Sequence, residues 1–219
     1  MSNFPQRVRD NILPLSENAT VAEAFDEWVF AEETIDHEQC IEVCQLCEQE
    51  DLRYHFLIEN ELNRNQLWVG SQCILRFEVG VLEEGKRLSP QDAKKKLSRV
   101  YQKMRFDACI RALERLVARE NNEILTNAWI YYRKNGNLTP KYAFVVLWRL
   151  QLHKIDHSPT FFKVSLKTDR HKAHLSDMEI SRVHLIWPAL SSSQRDMAKR
   201  FGHVPPSNLD CVLDRYESY

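Results

Sequence analysis

The sequence predicts a mainly α-helical protein with a small β-hairpin module, fastened by cysteines, near its N-terminus. Three observations carry that prediction. From residue 89 onward, apolar residues recur at helical spacing between recognisable start and stop signals. Between residues 52 and 69, two short runs rich in aromatic and branched residues flank a polar loop. Four of the six cysteines fall between Cys40 and Cys73, on either side of that pair of runs.

Length and composition narrow the class. The chain has 219 residues, 28% charged and 43% hydrophobic, with only 5 Gly and 8 Pro, which suits a globular fold and excludes fibrous or low-complexity chains. No apolar run approaches the ~20 residues of a membrane span. The opening MSNFPQRVRDNILP lacks the apolar core of a secretory signal, so a cytoplasmic protein with no membrane partner is expected. The net charge of -1 conceals a divided chain. Residues 1–60 hold 14 acidic against 3 basic residues, whereas 86–172 hold 20 basic against 7 acidic. We therefore expect an acidic N-terminal region with the cysteine module at 1–85 and a basic helical domain at 86–219. The basic part would attract a polyanion unless the acidic part covers it.

Taken in order, the first ~19 residues show no period and contain two prolines, and read as an extended arm. Thr20 is placed to cap a helix running to Phe30, with Val21, Ala24, Phe25, Trp28 and Val29 on its apolar face. An acidic stretch, Glu32 to Glu42, leads into the cysteines. Residues 52–58 and 66–69 read as two strands of a hairpin. Gly70 closes the second, and Ser71 is placed to cap a short helix over 72–79. Ser89-Pro90-Gln91-Asp92 is a helix start, and Ala93, Leu97, Val100, Met104, Ile110, Leu113, Leu116 and Val117 carry that helix to about residue 119. Asn122 opens another that stops at Asn135-Gly136. Thr139-Pro140 opens a third, apolar nearly all round at 143–148, which suits a central core helix. Residues 161–166 suit a strand or strap. Ser176-Asp177 would cap a helix to Trp187, and Ser192 to Phe201 forms the last, ending at Gly202. The tail beyond Pro205-Pro206 is expected to be loosely held. Trp28, Trp68, Trp129, Trp148 and Trp187 read as core anchors, with Trp68, on a short strand, the exception to watch.

The cysteines carry the sharpest chemical signal. Cys44-Gln45-Leu46-Cys47 presents two thiolates at the separation a tetrahedral Zn²⁺ needs. A hairpin of ~20 residues then returns the chain to Cys73, in the first turn of a helix whose dipole favours a thiolate. Knuckle, hairpin and helix start, in that order, are the layout of a treble-clef zinc module. The fold class is thus mainly α, a helical body with a small zinc-stabilised, treble-clef-like β-hairpin module. The usual second ligand of the helical turn is missing, since Arg76 stands there. Cys40 is the first choice for a fourth ligand, giving the closed structural set Cys40, Cys44, Cys47 and Cys73; His55 and then His37 follow. The competing readings are small core cysteines on one helix face, or a redox or iron–sulfur role. Cys109 and Cys211, alone in apolar contexts, read as inert core residues.

The same segment resembles a small zinc-binding module of poorly characterised phage, mobile-element and large-DNA-virus proteins. The shared pattern is a C-x-x-C, an extended aromatic stretch and a V-G-S-x-C-[IV]-x-x-F ending. Here Cys44, Cys47, Tyr54, Phe56, Val69, Gly70, Ser71, Cys73, Ile74 and Phe77 carry it, over residues 40–80 only. Such modules often have Gly after the second cysteine, where this chain has Glu48. The resemblance implies a zinc module near nucleic-acid biology, in a defence or counter-defence setting, and names no reaction.

Lys94, Lys95, Lys96, Arg99 and Lys103, with Lys86 and Arg87 upstream, give a basic helix face able to neutralise phosphates. Lys163, Lys167, Arg170, His171 and Lys172 form a second basic cluster. The candidate nucleic-acid contacts are therefore Lys94, Lys95, Lys96, Arg99, Lys103, Arg170 and Lys172, against the bland alternative of solvated faces. His153, Asp156, His157, His171 and His174 suggest a catalytic metal, but Ser158-Pro159 interrupts the helix that would align them and no H-E-x-x-H is present. The expected function is a non-enzymatic accessory factor that binds zinc, and nucleic acid or a partner protein. The alternatives are a metal-dependent nuclease, or an adaptor docking through its acidic N-terminal region. No small-molecule substrate and no catalytic residue are inferred.

Overall fold

The computed structural model describes residues 5–207, a mainly helical fold with one three-stranded antiparallel sheet. Cys211 and the end of the tail lie outside the described residues. The chain divides into two compact units, Met1–Met104 and Arg105–Tyr219. The division falls inside a helix of 30 residues, whereas charge alone suggests residues 85–86.

The first unit opens on helix α1, Gln6–Ile12, and a 3-10 turn, Leu13–Leu15, in place of the extended arm. Pro5 stands at the N-cap of α1 and Pro14 in the first turn of the 3-10 segment, where a missing N–H is tolerated. Val8 and Ile12, four apart, are both fully buried, a stripe too short to register as a period.

Helix α2, Val21–Asp26, is capped by Thr20, whose side chain accepts from the Glu23 N–H. It ends earlier than its periodicity suggests. The residues from Trp28 form strand β1, Trp28–Asp36, where aromatic and branched side chains pack better than on a further helical turn. Glu27 sits at this junction, 4% exposed. Its carboxylate accepts the backbone N–H groups of Glu17 and Asn18 at 2.9 and 2.7 Å and the side-chain amides of Asn18 and Asn60. Trp28 Nε1 donates to Ser16 Oγ at 2.9 Å. These bonds fold the N-terminal residues against the sheet.

Strand β1 pairs antiparallel with β2, Tyr54–Asn60, which pairs with β3, Gln66–Gly70, so β2 is central. A bulge between Phe30 and Thr34 places Glu32 at φ 60°. The sequence-predicted hairpin is present, with β1 added as its third strand. Helix α3, Ser71–Arg76, follows β3 directly, shorter than expected, and Gly70 rather than Ser71 occupies its cap. A two-stranded ribbon, β4 (Leu82–Glu83) and β5 (Lys86–Arg87), leads to helix α4, Pro90–Arg119.

In the second unit α5, Glu123–Asn135, stops at Gly136 with φ 64°, and α6, Pro140–Leu152, is capped by Thr139. Ala143, Val146, Leu147 and Leu150 make α6 a core helix, but on one face only, because Trp148 is 42% exposed. Residues 161–166 form a strap, entered by a 3-10 turn (Pro159–Phe161) and bridged at Leu138 and Val164. The helix expected from Ser176 to Trp187 is the shorter α8, Ile180–Ile186, entered at Glu179; Ser176 instead ends a helix that the sequence did not reveal, α7, Asp169–Ser176, capped by Thr168. Helix α9, Ser192–Arg200, begins at a capping box of Ser191 and Gln194. Trp187, Phe162, Leu113, Leu125 and Leu147 belong to the core of this unit. No helix of the described residues is long and apolar enough to cross a membrane.

Candidate metal centre

The backbone between β1 and β2 builds a tight knuckle. Glu42 and Leu52 exchange both backbone hydrogen bonds at 3.1 and 2.9 Å, closing a loop over residues 42–52. Within it the Cys44 N–H donates to the Gln49 carbonyl at 2.9 Å, and the Glu48 N–H to the Cys44 carbonyl at 2.8 Å. Glu48 takes φ 60°, the left-handed conformation that glycine adopts without strain. The turn is therefore tight despite the glutamate. Gln45 docks the knuckle on β3: its N–H donates to the Trp68 carbonyl at 3.0 Å, and its Oε1 accepts the Trp68 N–H at 2.6 Å. Because α3 starts where β3 ends, this docking sets Cys73 beside the knuckle.

The result is a group of three sulfurs, Cys44, Cys47 and Cys73, all within 4.8 Å of one another. Cys44 and Cys73 are buried and Cys47 is half-buried. The Cys44 and Cys73 sulfurs lie 3.6 Å apart, well beyond the ~2.05 Å of a disulfide. Two sulfurs about 2.3 Å from one tetrahedral ion stand roughly 3.7 Å apart, so the spacing suits shared coordination. The hydrogen bond with Cys73 pulls the Cys44 thiol down to about 5; burial opposes this, and the N–H groups of Gly70, Cys47 and Leu46 add to it. The Gly70 N–H reaches Cys44 Sγ at 3.4 Å. The same bond, burial and the neighbouring sulfur charge push the Cys73 thiol up, and burial pushes up Cys47. Without a cation the group favours one thiolate; a divalent ion would stabilise three.

Cys40 does not join them. It is exposed and outside the group, so the described residues supply three thiol ligands, not the expected four. The acidic stretch from Glu38, itself at φ 62°, carries Cys40 out to solvent before the chain turns back at Glu42. Cys109 is buried, as an inert core thiol should be.

His37 and His55, the reserve ligands, belong to a second group with Glu42. His55 is 4% exposed, and its Nδ1 lies 3.2 Å from His37 Nε2. Burial pushes the pKa of His55 down, and His37 adds to that; Glu42, Cys44 and the Val43 backbone oppose it. Trp68 stacks on His55 with centroids 6.2 Å apart, so it is neither a deep core anchor nor a free platform. The sequence carries no motif that joins Glu42 to the two histidines; strand pairing does.

The basic candidates fall in both units. Lys94, Lys95, Arg99 and Lys103 are exposed on α4, with Lys95 paired to Asp92 at 3.1 Å. Lys96 is a structural pin, bonded to Glu32 and the Leu82 carbonyl at 3.1 and 3.2 Å. The Glu32 hydrogen bond raises its pKa. Arg170 and Lys172 belong to the other unit, on α7, and Lys172 pairs with Asp169 at 2.8 Å. The histidines proposed for a nuclease do not converge with Asp156 into a metal-binding group. His153 Nε2 meets Glu120, Asp156 pairs with Arg105 at 2.7 Å, and His157 bonds the Ile155 carbonyl at 2.8 Å.

No protein-family model, no curated protein and no solved structure matches the chain.

Proposed function

We propose that this chain is a non-enzymatic binding protein whose N-terminal unit is fastened by a structural zinc ion on Cys44, Cys47 and Cys73, in a treble-clef-like arrangement. The convergence of three sulfurs from either side of the hairpin carries the reading. Thiolates suit Zn²⁺, and folding would deliver them already spaced for it. Two of the three sulfurs are buried, so the ion stabilises the knuckle rather than meeting a substrate. Purified full-length protein should carry zinc, and a strong chelator should unfold the first unit cooperatively. A chelated protein that melts like the parent would contradict the reading.

The surface we assign to a partner is the exposed α4 stripe of Lys95, Arg99 and Lys103, and the partner a polyanion such as nucleic acid. The exposure of these three cations at i, i+4 and i+8 supports it, as does the setting that the zinc-module resemblance implies. Salt-sensitive binding of random-sequence nucleic acid would test it.

A further inference from the structure

We infer that His37, Glu42 and His55 form a second cation site, separate from the cysteines, for a first-row divalent transition-metal ion.

Backbone pairing preorganises the three residues. His37 follows β1, and its N–H donates to the Arg53 carbonyl at 3.0 Å, extending the β1–β2 ladder by one residue. His55 lies opposite Ile35, so His37 and His55 are diagonal neighbours on one face of the sheet. The Glu42–Leu52 bridge returns the carboxylate to the pair. One ligand atom of each residue lies within 4.8 Å of the other two. Glu42 Oε1 lies 3.5 Å from His37 Nδ1, so the carboxylate stands beside the pair of rings.

The ring geometry points to a shared ion. An ion about 2.05 Å from both facing nitrogens, on the outward axis of each ring, would set the ring centroids about 1.6 times as far apart as the nitrogens. The observed separations, 5.0 Å for the centroids and 3.2 Å for the nitrogens, stand in that ratio. A head-on N–H···N bond of the same length would push the centroids to roughly 5.5 Å. Two imidazoles and one carboxylate suit Zn²⁺ or Fe²⁺, and a single carboxylate is too few hard ligands for Ca²⁺ or Mg²⁺. The site has a solvent entrance, since His37 and Glu42 are half-buried while His55 is buried.

The test titrates full-length protein with Zn²⁺ alone by calorimetry, after the cysteine group is loaded. The expected result is a further binding event that His37→Ala and Glu42→Gln each weaken by about tenfold or more. Both variants alter half-buried side chains, and an unchanged melting temperature of the cysteine-loaded variants would verify the fold. Co²⁺ loading reads the two sites apart, because only the cysteines give thiolate-to-cobalt charge-transfer absorption. Parent protein that binds no further ion, or a further event unchanged in His37→Ala, would overturn the inference whatever the cysteines do.

Discussion

Glu27→Gln should destabilise the first unit by several kcal/mol although it changes one atom. The carboxylate takes two backbone N–H groups and two side-chain amides, and its surroundings contain donors only at those contacts. Glutamine matches its shape but has one oxygen, so its own NH₂ must face a donor. Each hydrogen bond to an ionised acceptor contributes about 1.5–3 kcal/mol, and the substitution forfeits at least two. A loss of about 3 kcal/mol, the low end for a coupled network, is the expected magnitude. For a unit of this size that lowers Tm by on the order of 10–20 °C. The assay is a thermal melt of the metal-loaded chain followed by circular dichroism. A pH series adds a second reading. Burial works to raise the Glu27 pKa, but the bonds from Glu17, Asn60 and Asn18 outweigh it and hold the pKa below its ordinary 4.5. The stabilisation is therefore complete above that ordinary value and is lost as pH falls through the folded one. Glu27→Gln should flatten the acid limb in that window. A variant melting within about 2 °C of the parent, with the parent's acid limb, would refute the reasoning.

Glu48→Gly should leave Tm unchanged or raise it, by up to about 1 kcal/mol of relieved left-handed strain, less the exposed contacts to Asn11 and Arg7. Glu48→Val should lower Tm, because a branched residue tolerates that conformation poorly; the reverse order would show that the knuckle is not held as described. Cys40→Ser should keep the parent's thiolate-bound metal while Cys47→Ser loses it, measured by the thiolate-to-cobalt absorption of Co²⁺-loaded protein. Equal losses would return Cys40 to the ligand set. Replacing Lys95 and Arg99 together by Glu should cut polyanion affinity and its salt slope without lowering Tm, and an unchanged slope would remove α4 from the binding face.

Much of the helical part was legible because its punctuation is local. Thr139-Pro140 and Asn135-Gly136 mark ends through capping and left-handed geometry that neighbouring residues decide. The knuckle–hairpin–helix order was legible for a similar reason, since C-x-x-C spacing and strand alternation are short-range. What was not legible depends on partners far along the chain. Trp28 and Val29 fit a helical face as well as a strand, and only pairing with Glu59 and Asn60 decides between them. The first helix hid because two buried residues, Val8 and Ile12, are too few to establish a period. Spacing makes Cys40 the first choice for a fourth ligand, but a left-handed residue at Glu38 and the return of the chain at Glu42 leave it in solvent. Lys96 reads as one more surface lysine until the bulged strand β1 brings Glu32 to it.

The most direct measurement is a Co²⁺ titration of metal-free, fully reduced protein followed by absorption. The account predicts intense visible bands and a thiolate-to-cobalt charge-transfer band that saturates at about one ion per chain and disappears in Cys73→Ser. A titration in which no charge-transfer absorption develops, with every thiol still free to react, would contradict it.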